Sequence, residues 1–186
     1  MSFWKKKDNL IITGFVVAFF IGLAAWQDGG CITAAFSQRG GASSDAFKIP
    51  FVDQDQKQVT LEQFKGKPLI INFWATWCPV CVKKMATLNA FAQKFQSQGG
   101  QVITISEDKS LGAVRAYLTR NNYSNLGGYL DASGKVMDAF GASGLPTSVF
   151  IDASGKVVNT ISGGFDWGTK EVAEMVETYF GIKVPE

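Results

Sequence analysis

Runs of apolar residues in the central and C-terminal parts of the chain predict β-strands. Residues 69–74 (Leu-Ile-Ile-Asn-Phe-Trp) are apolar at every position except Asn72. Such near-continuous hydrophobicity is typical of a strand that is buried on both faces of a sheet. Residues 101–106 alternate between apolar and polar as a strand does, and residues 129–131 form a further short candidate. Two hairpins are predicted, one from residues 47–52 and 57–60 and one from residues 147–151 and 157–161.

Apolar residues at helical spacing predict the helices that connect these strands. Between residue 79 and about residue 96, the apolar positions lie on one face of a helix: Cys81, Met85, Leu88, Ala92 and Phe95. A short helical turn is predicted at residues 61–64. Further helices start near Leu111, near Lys135 and after Thr169, which we expect to cap the last of them. Strands that alternate with helices and end in a hairpin plus a helix predict an α/β domain built on a mixed sheet.

The first part of the chain has a different pattern, in which basic residues precede an uncharged apolar stretch. Lysines at positions 5–7 are followed by residues 10–26, which contain no charged side chain. This length is near the lower limit for a membrane-spanning helix and above the usual core of a signal peptide. We favour an uncleaved anchor over a cleaved signal, because Trp26 lies where an interfacial aromatic residue belongs. The lysines place residues 1–9 in the cytoplasm and the rest of the chain outside it.

Residues 27–46 are rich in Gly, Ser, Ala and Gln and show no sustained periodicity. They predict a flexible tether between the anchor and a domain that spans residues 47–186. Cys31 lies in this tether. Its simplest interpretation is an incidental thiol, and an intermolecular disulfide or lipidation are the alternatives.

Composition and charge restrict the function of the predicted domain. Hydrophobic residues make up 46% of the 186 residues, which is enough for a substantial core. The net charge of +2 comes from the N-terminus: without Lys5, Lys6, Lys7 and Asp8, basic and acidic residues are equal in number. The domain therefore has no electrostatic signature of a nucleic-acid partner. The chain contains no histidine, which excludes Ser-His-Asp catalysis, Cys-His catalysis and metal sites that need imidazole.

Two cysteines with C-x-x-C spacing follow the apolar run of residues 69–74. Cys78 and Cys81 lie at the junction between that strand and the next predicted helix. The N–H groups and the dipole of a helix N-terminus favour a thiolate, so the motif indicates redox chemistry. Helical spacing places Cys81 on the buried face and is expected to leave Cys78 exposed at the helix start. No second cysteine pair accompanies the motif, which argues against a zinc site.

Three spaced motifs resemble the TlpA/ResA group of thioredoxin-fold proteins. They are residues 64–68 (Phe-Lys-Gly-Lys-Pro), residues 72–81 (Asn-Phe-Trp-Ala-Thr-Trp-Cys through the second cysteine) and residues 144–147 (Gly-Leu-Pro-Thr) followed by a strand. The resemblance covers about residues 47–181. It implies a thioredoxin-like fold, with a mixed central sheet flanked by helices, in a membrane-anchored protein-disulfide oxidoreductase. The Pro79-Val80 pair is also similar to the ScsD-like branch linked to suppression of copper sensitivity.

The same resemblance implies a location and a set of partners. Proteins of this group are held in the bacterial inner membrane by an N-terminal helix, with the N-terminus in the cytoplasm and the catalytic domain in the periplasm. Their substrates are protein thiols and disulfides, and they work with a membrane or periplasmic redox partner. The resemblance implies no metal and no cofactor other than the redox-active disulfide, which here is Cys78–Cys81.

Roles for residues around the cysteines follow from the resemblance as well. Pro146 is implied to be a cis-proline that faces the dithiol. Leu145 and Thr147 are implied to help hold a substrate peptide. Active-site support is implied for Trp77, Pro79 and Val80.

Two positions near the cysteines lack a carboxylate that relatives use. Asn72 occupies the strand position where thioredoxin has a buried aspartate, although the TlpA/ResA group commonly has Asn there. Lys84 stands where many members carry a glutamate three residues after the second cysteine. Glu107 or solvent is the candidate substitute for handling the proton. Lys83 and Lys84 either favour a thiolate electrostatically or form a solvated helix face.

The motif predicts thiol–disulfide exchange, in which the thiolate of Cys78 attacks a partner disulfide and Cys81 resolves the mixed disulfide. Pro79 and Val80 tune the redox potential and leave the direction open. The resemblance favours a reductant in cytochrome c or copper-centre maturation, and a dithiol oxidase is the alternative. Two alternatives belong to other functional classes: a Cu(I)-binding module and a redox-inactive interaction domain. The first is considered because thiolates are good ligands for this soft ion. Copper-carrying relatives usually add a histidine, which this chain lacks.

Overall fold

A computed structural model describes residues 44–185 of the chain. The predicted cytoplasmic segment 1–9, the predicted anchor 10–26 and Cys31 lie outside the described residues, as does most of the predicted tether. Between residues 44 and 185, no helix has both the length and the apolar character needed to cross a membrane. The described part begins with a 3-10 helix, Ser44–Lys48.

Seven strands of the described range pair into one mixed sheet. In chain order they are β1 (Phe51–Val52), β2 (Gln58–Val59), β3 (Leu69–Trp74), β4 (Gln101–Ser106), β5 (Gly128–Leu130), β6 (Thr147–Ile151) and β7 (Val157–Ser162). Their order across the sheet is β2-β1-β5-β4-β3-β6-β7. Strand β3 is parallel to β4 and antiparallel to β6, so it lies in the interior of the sheet. The cysteine motif begins just beyond its C-terminal end.

Four α-helices connect or follow these strands within residues 44–185. They are α1 (Pro79–Ser97), α2 (Leu111–Arg120), α3 (Lys135–Ala139) and α4 (Lys170–Phe180). A 3-10 helix at Leu61–Phe64 forms the predicted short turn. Thr169 takes the N-cap position of α4, but its side chain makes no capping hydrogen bond. The prediction of an α/β domain on a mixed sheet is confirmed.

Apolar side chains cover both faces of the sheet. Ile70 and Trp74 of β3 join the cluster formed with α1, α2 and α4, whereas Ile71 and Phe73 join the cluster formed with α3. All six residues of β3 are buried, as the continuous apolar run predicts. Full burial of one such large apolar side chain contributes about 1.5–3 kcal/mol, so the strand that leads to the cysteines is held firmly on both sides.

The N-terminal strands are shorter than the sequence predicts. The pattern predicts strands over residues 47–52 and 57–60, whereas β1 and β2 contain two residues each and pair antiparallel. Phe47 belongs instead to the 3-10 helix, where its ring packs edge-on against Phe140 with 5.9 Å between centroids. This contact joins residues far apart in sequence, which a local alternation pattern does not reveal.

Candidate active site

The two cysteines form a disulfide at the N-terminus of α1. Cys78 is the N-cap residue and is joined to Cys81 with 5.3 Å between their Cα atoms. Pro79 occupies the first turn, where its missing N–H costs no helical hydrogen bond. The N–H of Cys81 donates to the sulfur of Cys78 at 3.2 Å. After reduction, this donor and the helix dipole would stabilise negative charge on the sulfur of Cys78.

The expectation that Cys78 is exposed is wrong, because both cysteines are buried. Cys78 is 6% exposed and Cys81 is 2% exposed. As the N-cap residue, Cys78 turns its side chain back over the helix start towards Cys81, so its sulfur does not project into solvent. Its neighbours are exposed instead, Trp77 at 65% and Val80 at 50%, and these are the two large exposed hydrophobic side chains between residues 44 and 185. The disulfide is therefore recessed beneath an apolar rim.

The turn before β6 brings the predicted proline to the disulfide. The Leu145–Pro146 peptide bond is cis, in agreement with the implied cis-proline. Pro146 and Cys81 line one small cavity. Leu145 is partly buried, while Thr147 is fully buried and its hydroxyl donates to the carbonyl of Gly144 at 2.7 Å. The side chain of Thr147 thus supports this turn from inside the protein, and its implied contact with a substrate peptide stays a prediction.

Asn72 and Lys84, the two positions that lack a carboxylate found in thioredoxin or in many relatives, line the same cavity. Asn72 is buried in β3, and its side-chain amide donates to the hydroxyl of Ser148 in β6 at 2.9 Å. Lys84 lies one turn of α1 beyond Cys81, with its ammonium 3.9 Å from the carboxylate of Asp166. The structure therefore gathers Asn72, Lys84 and Pro146 beside Cys81. A larger cavity of about 350 Å³ lies between α1 and α4, and neither cysteine lines it.

A buried carboxylate that the sequence analysis missed holds the connection between β3 and the disulfide. Asp108 is 4% exposed and accepts hydrogen bonds from the backbone N–H of Thr76 at 2.9 Å and from the Thr76 hydroxyl at 2.7 Å. The hydroxyl of Ser106 donates to the same carboxylate at 2.6 Å. Asp108 thereby fixes the segment two residues before Cys78. The only sequence signal was an acidic residue just after the strand of residues 101–106.

The loop after β7 also packs on the start of α1, a contact that the local sequence pattern does not reveal. A Cβ atom at Gly164 would lie 2.7 Å from a methyl group of Val80, so no larger residue fits without displacement. Further along the loop, the N–H of Trp167 donates to the hydroxyl of Thr87 at 3.4 Å. Glycine at position 164 therefore permits the close approach of this loop to the dithiol helix.

Glu107, the carboxylate considered as a substitute proton acceptor, lies among other acids. Its carboxyl group is near Asp131 and Asp138 and does not line the cavity beside Cys81. Burial first, and then repulsion from these two aspartates, raises the pKa of Glu107 to about 8, while Lys109 acts in the opposite direction. One of its oxygens has no hydrogen-bond partner within residues 44–185. The neutral acid is thus the favoured form in the folded protein near neutral pH.

This shift makes stability depend on pH. In the unfolded chain Glu107 ionises near its ordinary pKa of 4.5, but in the folded protein only near 8, so the folded state loses stability as pH rises through that window. We expect Glu107→Gln to remove this loss, because glutamine does not ionise. At the upper end of the window the variant should be more stable than wild type by about 1–2 kcal/mol. The gain is smaller than for a completely buried carboxyl group, because Glu107 is only half-buried. Urea unfolding across the pH range measures it, with exposed Asp55→Asn as control. Parallel pH profiles for wild type and Glu107→Gln would contradict the assignment.

A C-x-x-C disulfide at a helix start, beside a cis-proline and on a mixed sheet of this order, defines a thioredoxin-fold thiol-disulfide oxidoreductase. The model of the Redoxin family matches residues 39–178. The chain belongs to the Redoxin family, in which it is a TlpA/ResA-like member of the thioredoxin superfamily.

Individual relatives agree with this assignment. The chain is 32% identical over 177 residues to the thiol-disulfide oxidoreductase ResA of Bacillus cereus, covering 94% of this chain and 96% of the relative. Among solved structures, a putative thioredoxin from Neisseria meningitidis is 28% identical with a TM-score of 0.61, covering 70% of this chain and 86% of its own. The pneumococcal exposed lipoprotein thioredoxin Etrx1 of Streptococcus pneumoniae is 27% identical with a TM-score of 0.56, covering 64% of this chain and 91% of its own. The predicted resemblance and the predicted enzyme class are confirmed.

Proposed function

We propose that this oxidoreductase reduces disulfides of partner proteins outside the cytoplasmic membrane, in the maturation of cytochrome c or of copper centres. One observation carries the proposal: the recessed disulfide is rimmed by the exposed side chains of Trp77 and Val80. Exposed apolar side chains at the reactive group favour a protein substrate, because their burial drives association. The resemblance to the TlpA/ResA group supports the direction and the maturation role.

The proposed location rests on the N-terminal sequence. Lysines at positions 5–7 followed by the uncharged residues 10–26 favour a single-pass anchor in the bacterial inner membrane, with the N-terminus cytoplasmic. The catalytic domain is then periplasmic, where disulfides persist. One similar solved structure is described as an exposed lipoprotein thioredoxin, which supports an extracytoplasmic site of action.

The reaction proceeds by two exchanges of sulfur–sulfur bonds. The thiolate of Cys78 attacks a partner disulfide, which forms a mixed disulfide and releases one partner sulfur as a thiolate. The thiolate of Cys81 then attacks the sulfur of Cys78, and the second partner sulfur leaves with the electron pair. The partner gains two electrons and two protons, and Cys78–Cys81 is oxidised. A membrane or periplasmic donor reduces the pair again, and no other cofactor takes part.

Trapping of the mixed disulfide tests this proposal. We expect Cys81→Ser in the full chain to accumulate covalent complexes with periplasmic cysteine proteins, because the serine cannot resolve the intermediate. Membranes from cells that express the variant are treated with a thiol-blocking reagent, and the complexes are identified by mass spectrometry after non-reducing electrophoresis. Each variant is also made with Cys31→Ser, so that complexes through Cys31 are distinguished.

The redox state of the wild-type pair in cells decides the direction. A mostly reduced pair, together with trapped apocytochrome c or copper-site proteins, supports a reductant. A mostly oxidised pair would instead identify a dithiol oxidase. Stoichiometric Cu(I) binding without disulfide turnover would replace the proposal with a copper-binding module.

A further inference from the structure

A small cavity lies directly behind the resolving cysteine. It is bounded by β3, β6, α1 and the loop after β7, and Cys81 is among its lining residues. Its volume is about 10 Å³, close to what one water molecule needs. Asn72 and Ser148 supply polar atoms to its wall. The cavity therefore has about the volume of one water molecule and a partly polar wall.

Lys84 is the charged residue among those that line this cavity in the described part of the chain. Strands β3 and β6 contribute the neutral side chains of Asn72 and Ser148, and the loop after β7 contributes aromatic rings. Asp166 of that loop faces Lys84, with 3.9 Å between the charged atoms. Lys83, the next lysine on α1, is exposed and does not line the cavity. Among the described residues, Lys84 is therefore the cationic residue that shares this cavity with Cys81.

The resolving step creates a need for such a cation. Cys81 attacks as a thiolate, yet it is 2% exposed, and burial disfavours the charged form of a thiol. A nearby positive charge opposes this penalty. A cation beside Cys81 would therefore favour the deprotonated, attacking form of this thiol.

We infer that Lys84, whose ammonium faces the carboxylate of Asp166, is a positioning residue that stabilises the thiolate of Cys81 across the small cavity during the resolving step. The step rests on the proposed reductive direction. The thiol of Cys81 releases its proton to solvent. The thiolate attacks the sulfur of Cys78, the bond between Cys78 and the partner breaks, and the partner sulfur leaves with the electron pair and takes a proton from solvent.

Stopped-flow reaction of the reduced full chain with Ellman's reagent separates the two steps. Attack by Cys78 releases one coloured thiolate, and resolution by Cys81 releases a second. A Cys31→Ser background leaves only these two thiols. The rate of the second release is measured against pH for wild type, Lys84→Met and Lys84→Arg. Lys83→Met is the matched control, since it removes the same charge from the adjacent position outside the cavity.

We expect Lys84→Met to move the midpoint of the second release upward by about one pH unit, as loss of one neighbouring cation does. Below that midpoint the second release should slow about threefold, because the tenfold smaller thiolate fraction is partly offset by higher intrinsic nucleophilicity. Lys84→Arg and Lys83→Met should retain the wild-type profile. A merely structural role for Lys84 would change the amplitude or the stability without moving this midpoint.

The same experiment distinguishes the absence of a role for Lys84 from a failure of the proposed exchange reaction. If wild type shows two releases and the Lys84→Met and Lys83→Met profiles coincide with it, Lys84 has no role in resolution and the exchange activity stands. An equal shift in both methionine variants would also overturn the inference, since it would reflect overall helix charge. If wild type itself shows no second release, the two-cysteine exchange mechanism fails.

Discussion

Cys78→Ser is expected to abolish disulfide exchange by the full chain, with a fall in turnover on the order of 10³-fold or more. A serine hydroxyl at the N-cap of α1 cannot provide the thiolate that the helix terminus stabilises, and it cannot form the mixed disulfide. The fold should persist, because serine is a favourable N-cap residue and can accept the same N–H from Cys81. Turnover is measured with a small disulfide substrate and a thiol donor.

Cys31→Ser is the matched control for this experiment. It removes the third cysteine of the chain and should leave turnover unchanged. Exchange by Cys78→Ser at the wild-type rate would show that Cys78 is not the attacking residue. A loss of activity in Cys31→Ser as large as in Cys78→Ser would show that the pair at the start of α1 does not act alone.

Asp108→Ala is expected to destabilise the protein by about 3 kcal/mol, because it removes three hydrogen bonds to a buried carboxylate and leaves the donors of Thr76 and Ser106 without partners. Exchange should slow as well, since the segment before Cys78 loses its anchor. Asp108→Asn retains an acceptor and should fall between wild type and Asp108→Ala. Urea unfolding of the full chain measures the difference in free energy of unfolding.

Asp55→Ala provides the comparison, because Asp55 is an exposed acid in the turn between β1 and β2. Its substitution should change the free energy of unfolding by no more than about 0.5 kcal/mol. If Asp108→Ala matched Asp55→Ala in both stability and exchange rate, the hydrogen bonds of Asp108 would have no part in holding the active-site segment.

The central architecture could be predicted from the sequence because the elements around the motif have strong, local signals. The buried run of β3, the alternating strand β4 and the apolar face of α1 each appear in the sequence with nearly the bounds that the structure gives. The motif positions relative to β3 and α1 then placed the cysteines at a strand-to-helix junction. Short N-terminal strands were predicted too long, since Phe47 takes its conformation from a distant contact with Phe140.

The details that determine the chemistry depend on contacts between residues that are far apart in the sequence. Helical spacing could distinguish the faces of α1 but could not show that Cys78 turns back over the helix and is buried. Asp108 meets Thr76 across 32 positions of sequence, and Gly164 meets Val80 across a still longer separation. The sequence shows that Lys84 differs from the glutamate of many relatives. Its ion pair with Asp166 and its position in the cavity of Cys81 are visible only in the folded structure.

A redox titration of the full chain tests most directly whether Cys78 and Cys81 form the reactive couple. The protein is equilibrated in thiol–disulfide buffers of graded potential, quenched, and its free thiols are counted by mass spectrometry, in the natural chain and with Cys31→Ser. We expect one two-electron transition, in which the ratio of oxidised to reduced protein changes tenfold for about every 30 mV. This transition should be lost in Cys78→Ser and in Cys81→Ser. A transition that survives in Cys78→Ser, or a pair that does not respond to the buffer potential, would contradict the proposed chemistry.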